Sequence, residues 1–172
     1  LSLPIVIWGD KLLRQKSVPL DPSEIDDAFR AWCVEFTETL YEEEGVGLAA
    51  VQVGRPIRVI VVDTQYTEEG HGKQPVVYVN PVIEAIGTPC DADEGCLSVP
   101  GVRGKVRRAE VINVSWLDIH GTPQRRENIG GLEARCLQHE VDHLEGVLFV
   151  DRLSPAARAL AEGKLRRLAR KE

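Results

Sequence analysis

Methionine is absent from all 172 residues, so the initiator is missing, by removal in the cell or by trimming. No apolar run approaches the ~18–20 residues a membrane helix needs. The longest aliphatic stretch, Val59 to Val62, is strand-sized. Leu1 to Trp8 is short and lacks a basic start, so no secretory signal is expected there. The expected compartment is the cytoplasm, with an organelle left open. The four cysteines (Cys33, Cys90, Cys96, Cys136) form no C-x-x-C pair, and in a cytosolic chain free thiols or metal ligands are expected over disulfides. There is no internal repeat, no low-complexity segment, no P-loop and no dinucleotide fingerprint.

What is present fits one domain over residues 1–172, with 43% hydrophobic and 28% charged residues. The net charge is −6, and residues 152–172 carry seven basic and two acidic residues, +5, which leaves −11 for the rest. An acidic body excludes whole-surface binding of DNA, whereas the basic tail leaves local contact with RNA open.

Asp21-Pro22-Ser23-Glu24 reads as a capped helix start. Ile25, Ala28, Phe29, Trp32, Phe36 and Leu40 continue it as one apolar stripe, and Gly45 ends it. Strand-like runs follow at Ile57–Val62, Val76–Val79, Val82–Ile86 and Val111–Leu117, divided by Gly/Pro/Asp clusters. A second helix is predicted from Leu132 to Leu144, with Gly146 past its end. Ser154-Pro155 opens a third, the basic C-terminal helix of residues 154–172. Helix, strands, helix, helix is an α+β order, without βαβ alternation.

The second predicted helix contains His139-Glu140-Val141-Asp142-His143. Residues four apart share a helix face, so both imidazoles can reach one cation, and Glu140 can handle the proton of a water there. Leu132, Cys136, His139 and His143 fall within about 60° of one another, and Leu137, Val141 and Leu144 form a second apolar group. Only Arg135, Gln138, Asp142 and Glu145 make a polar face, so the helix is expected to be buried. Histidines and a glutamate on buried faces need partners, which a metal would supply.

A catalytic site needs a third protein ligand. Cys136 precedes His139 by only three residues on the same helix, too close on adjacent turns to converge with both histidines, and reads as core, as does Cys33. Cys96, beside Gly95 in the polar stretch Pro89–Gly101, is modestly ahead of Cys90. An endopeptidase would instead take Glu145 or Glu162, since no histidine follows His143. A binding protein with a closed structural metal site would need a fourth ligand, such as Cys90 or Cys136.

Three segments together carry a resemblance: Gly45-Val46-Gly47-Leu48-Ala49-Ala50-Val51-Gln52, Glu94-Gly95-Cys96-Leu97-Ser98 and Gln138-His139-Glu140-Val141-Asp142-His143. In order and spacing they resemble the signature motifs of the peptide deformylases, over nearly the whole chain. The resemblance implies an α+β fold with antiparallel sheets around a central helix carrying H-E-x-x-H. It implies metal-dependent removal of formyl from N-formylmethionyl nascent polypeptides, releasing formate. Cys96, His139 and His143 would bind one divalent ion, typically Fe²⁺, with Zn²⁺, Ni²⁺ or Co²⁺ able to replace it. Glu140 would be the acid/base, and Gln52 with the Leu97 N–H the oxyanion site. Gly45, Val46 and Gly47 would line the substrate cleft, Arg103 would contact the substrate backbone, and Arg108 would pair with Glu94 to hold the cysteine loop. Some members contact the ribosome through a C-terminal helix, which here carries Lys164, Arg166, Arg167, Arg170 and Lys171. Otherwise this helix is solvated, with Leu160, Leu165 and Leu168 packed on the body. Two positions depart from the family: Val51 stands where proline is frequent, and Arg135 where many members have an aliphatic residue near the methionine pocket. From its helical angle, the Arg135 head is expected to reach solvent.

Overall fold

The computed structural model describes residues 2–170. Leu1, Lys171 and Glu172, which belong to the readings of the two ends, lie outside the described residues.

The capping box at Asp21 forms, but it closes a 3-10 turn, Pro22–Glu24, rather than the long helix. The long helix, α1 (Asp27–Glu42), starts after a second aspartate, Asp26, whose carboxylate accepts the Phe29 N–H at 2.9 Å. Ile25, between the two caps, is not helical, so the buried face of α1 begins at Phe29 and runs through Cys33, Phe36 and Leu40. The helix turns off at Glu44, at φ 56°, and the Gly45 N–H donates to the Leu40 carbonyl at 2.9 Å. The left-handed residue is therefore Glu44, one before the predicted glycine.

Five strands follow: β1 (Gly47–Ala49), β2 (Val59–Val62), β3 (Val76–Gly95), β4 (Arg103–Leu117) and β5 (Pro123–Ile129). They form one antiparallel sheet in the order β1-β2-β3-β4-β5. The two runs expected on either side of Asn80-Pro81 are a single strand. The proline is accommodated at a register shift between Val79 and Val82, where Asn80 takes φ 51° and its amide ties to both the N–H and the carbonyl of Leu20. β3 also runs through most of the stretch expected to be a loop, with Cys90 paired to Arg108 and Glu94 to Gly104.

The helix with the H-E-x-x-H sequence, α2 (Gly131–Leu144), lies against β1, β2, β3 and β4. Leu137 and Leu144 are fully buried with Ile60, Tyr78, Ile112 and Val114. Burying a leucine side chain contributes roughly 1.5–3 kcal/mol, so this contact fixes the helix, and with it both histidines, against the sheet. The C-terminal helix, α3 (Pro155–Ala169), is capped by Ser154 Oγ, which accepts the Ala157 N–H at 3.2 Å. Leu165 is buried and Leu168 partly packed, but Leu160 is 87% exposed, contrary to the expected packing of all three. The architecture is mixed α+β with an antiparallel sheet. Among the described residues, no helix is long and apolar enough to cross a membrane.

Candidate metal centre and active site

His139 and His143 project from one face of α2, and the turn after β3 brings Cys96 to them. One ligating atom from each of the three lies within 4.8 Å of the others, and Cys96 Sγ is 3.4 Å from His143 Nε2. Cys90 is exposed on β3 and Cys136 is buried; neither joins the group. Burial raises the Cys136 thiol well above its ordinary pKa, so it stays protonated. Glu145 faces away, paired with Arg58 at 2.6 Å and Lys16 at 3.2 Å, and Glu162 pairs with Arg158.

Several features fit this group to a cation. His139 Nδ1 is 2.9 Å from Glu94 Oε1, which leaves Nε2 for the cluster, the usual carboxylate–histidine arrangement behind a metal ligand. Burial opposes protonation of His139, yet the nearby Glu140 and the hydrogen bonds to Cys96 and Glu94 hold its pKa well above the ordinary value. The surrounding negative charge thus favours positive charge at this position. His143 behaves oppositely: burial, then the positive charges of His139 and Arg108, push it well below its ordinary value and keep the ring neutral, the form that ligates. His143 Nδ1 and Glu140 Oε1 are both buried without a hydrogen-bond partner among the described residues.

Glu140 follows His139 on α2, its Oε2 4.0 Å from His139 Nε2. Burial pushes its carboxyl up to about 7, against the pull of His139 and Arg108. Gln52 lies in the 3-10 turn Ala50–Val53 and is 1% exposed. Its Oε1 accepts the Ala49 N–H at 2.9 Å, which fixes the amide orientation. Its Nε2 donates to Ser98 Oγ at 3.0 Å and approaches Cys96 Sγ at 3.5 Å.

A cleft of about 460 Å³ opens onto these groups. Gly45, Val46 and Gly47 line one side, Leu97 and Arg103 another, and Leu132, Arg135 and Cys136 the helix side. Gly47 leaves little room for a side chain: a Cβ there would lie 2.7 Å from Glu140 Oε2 and nearer still to Cys136 Sγ, so those side chains would have to shift. β1 is an edge strand, so its outer side is free to pair with an extended chain. Arg103, largely exposed, donates to Asp93 at 2.6 Å.

Behind these three residues lies a buried ionic network. Glu94 accepts Arg108 Nε at 2.7 Å and Arg108 Nη2 at 2.9 Å, and Arg108 Nη1 donates to Asp142 at 2.9 Å. Burial alone would raise the Glu94 pKa, but the hydrogen bonds from His139 and Arg108 outweigh it and bring the carboxyl down to about 2. Arg135 corrects the sequence expectation. Its head is buried rather than solvated, with Nη1 2.7 Å from Glu94 Oε2. A helical angle states which side of α2 the residue leaves from, not whether β3 and β4 cover that side, and here they do. Ser98, at the end of the Glu94-Gly95-Cys96-Leu97-Ser98 segment, has no role assigned by the sequence; the fold brings it to Gln52, 46 positions away.

A buried H-E-x-x-H helix, a cysteine from a neighbouring turn and a carboxylate in an open cleft have the chemistry of a metal-dependent hydrolase. The comparison with known proteins narrows the class. The family model for polypeptide deformylase matches residues 2–159. A peptide deformylase of Brucella suis biovar 1 is 41% identical over 167 residues, 96% of this chain and 93% of its own. A crystal structure of a Legionella pneumophila peptide deformylase superposes with a TM-score of 0.87 at 38% identity, covering 100% of both chains. One from Synechococcus elongatus, in complex with actinonin, gives 0.83 at 40% identity, covering 96% of this chain and 85% of its own. The chain belongs to the polypeptide deformylase family.

Proposed function

We propose that this enzyme hydrolyses the formyl group from N-formylmethionyl polypeptides, releasing formate. The observation that carries the reading is the convergence of Cys96, His139 and His143 within 4.8 Å, at a cleft that also holds Glu140 and Gln52.

In this reading Cys96, His139 and His143 hold one divalent ion. When bound, the ion supplies Lewis acidity that polarises the formyl carbonyl and makes water easier to deprotonate. Glu140 takes the proton from the water that attacks the formyl carbon. Its burial keeps its basicity close to neutral, where a general base is most useful. The formyl oxygen, gaining negative charge, is held by the Gln52 amide and the Leu97 N–H. Glu140 then returns the proton to the amine nitrogen, the C–N bond breaks, and formate leaves. Gly45, Val46 and Gly47 offer the free edge of β1 to the extended peptide, in the manner of an added strand, and Arg103 meets its backbone at the cleft rim. Glu94 and Arg108 support the histidine and the cysteine turn.

A Cys/His₂ donor set suits Fe²⁺ or Zn²⁺. We assign Fe²⁺ as the native ion, with Zn²⁺, Ni²⁺ or Co²⁺ as substitutes, to be checked by metal analysis of anaerobically purified protein. The catalytic domain spans residues 1–172 and works in the cytoplasm. Arg166 and Arg167 are exposed on α3 and Arg170 just past its end, and they offer basic surface suited to ribosomal RNA. Formate release from formyl-Met-Ala-Ser tests the reaction. Release by the metal-loaded chain supports it, and silence from folded, loaded protein rejects it.

A further inference from the structure

Glu94 accepts four charge-assisted hydrogen bonds. His139 Nδ1 and Arg108 Nη2 lie at Oε1, each at 2.9 Å; Arg108 Nε and Arg135 Nη1 lie at Oε2, each at 2.7 Å. A carboxylate offers about four lone-pair sites, so all are used and its plane is fixed. Arg108 alone would leave Glu94 held by one fork from β4. Arg135 closes the opposite side from α2, one helical turn before His139.

The Arg135 head also bonds to β3 and β4, mostly to backbone, with Nη2 3.6 Å from Cys90 Sγ. Nη1 also donates to the Val106 carbonyl at 2.8 Å, and Nη2 donates to the Cys90 carbonyl at 2.9 Å. One side chain thus joins α2 to β3, to β4 and to the carboxylate behind a histidine of the metal group. Burying a guanidinium is costly unless every bond is good. Tyr, Leu or Met would fill the space without that cost, so the arginine calls for a role in geometry rather than in stability.

We propose that Arg135 is a positioning residue for the metal centre: it fixes Glu94, and through Glu94 the ring of His139, so that Nε2 stays aimed at the ion. This rests on the assignment of Cys96, His139 and His143 as ligands. Lysine cannot replace it, because a single ammonium cannot span Glu94, Val106 and Cys90 from one planar group.

The experiment measures loss of metal, not turnover. Ni²⁺-loaded wild type, Arg135→Met, Arg135→Lys, Glu94→Gln and the double variant Glu94→Gln/Arg135→Met are mixed with excess EDTA, and released Ni²⁺ is followed in time. Loss of an outer partner of a metal ligand typically costs 10–100-fold in affinity. Arg135→Met is expected to lose Ni²⁺ at least about tenfold faster than wild type, and Arg135→Lys to recover little of the difference. In the Glu94→Gln background, Arg135→Met should add less than about twofold, because its effect passes through that carboxylate. A merely structural arginine would add its full effect there, which overturns the proposal. So does wild-type release from Arg135→Met or, if that variant fails to fold, from Arg135→Lys. A wild-type chain that binds no Ni²⁺ refutes the ligand assignment itself, and one that binds Ni²⁺ without deformylating refutes only the reaction.

Discussion

Gln52 and Glu140 are both buried beside the cleft, and Glu140 keeps bonding capacity there. Gln52 Nε2 donates to Ser98 Oγ and to Cys96 Sγ, whereas Glu140 Oε1 has no protein partner among the described residues. Capacity withheld from the fold is capacity available to a reaction. Glu140→Ala is expected to keep a full equivalent of metal while kcat falls by ~10²–10⁴; metal analysis beside steady-state kinetics checks both halves. Cys96→Ala should instead lose the metal. With Gln52 as the proposed oxyanion donor, Gln52→Ala should cost ~2.7–4 kcal/mol in kcat. Glu94 gives a pH prediction. Its folded pKa of about 2 lies below the ordinary 4.5, so it stabilises the fold above pH 4.5, and that contribution is lost as pH falls toward 2. Urea unfolding of the metal-free chain should show Glu94→Gln less stable than wild type at pH 7, by up to about 3 kcal/mol, with the gap closing near pH 2.

At the scale of elements, the α2–β1 contact decides how closely a substrate strand and the catalytic carboxylate approach. Gly47→Ala places a methyl group against Glu140 and Cys136, so kcat/KM should fall on the order of 10²-fold while far-UV circular dichroism stays unchanged. Leu137→Ala, in contrast, opens the core under α2 and should cost ~2–5 kcal/mol of stability, read by denaturant unfolding. Elements with one wet and one dry face were legible in the sequence. α2 was placed to within one residue at its start, and α3 was found from its Ser-Pro cap. Elements defined by pairing alone were not. β5 is Pro-Gln-Arg-Arg-Glu-Asn-Ile, exposed except at Ile129, and shows no apolar alternation because it lies at the sheet edge. The outer half of β3 is likewise mostly exposed and polar, held by its ladder to β4 rather than by a core face. In the site, His139, Glu140 and His143 stand out by their spacing, whereas Cys96, Gln52 and the Gly45–Gly47 loop stand out only through the family resemblance. The Arg135 and Ser98 contacts could not be read in advance, since they depend on which strands cover α2 and which turn meets Gln52.

Across the whole molecule, charge is divided between an acidic body and a basic end. Arg158 and Lys164 of α3 are tied down, Arg158 beside Asp151 and Glu162, and Lys164 on the Gly101 carbonyl at 3.0 Å. Arg166, Arg167 and Arg170 remain on the surface, with the exposed Leu160 on the same helix. If this face meets ribosomal RNA, co-sedimentation with ribosomes should weaken steeply between about 50 and 200 mM salt and be lost in an Arg166→Glu/Arg167→Glu variant that keeps peptide activity. Binding indifferent to salt would reject an electrostatic contact. The reaction itself is tested most directly by formate release from formyl-Met-Ala-Ser, comparing the Ni²⁺-loaded chain with Glu140→Ala loaded to the same metal content. The account predicts steady release by the first and a loss of at least about 10²-fold in the second. No release by the folded, loaded chain, or undiminished release by Glu140→Ala, would contradict it.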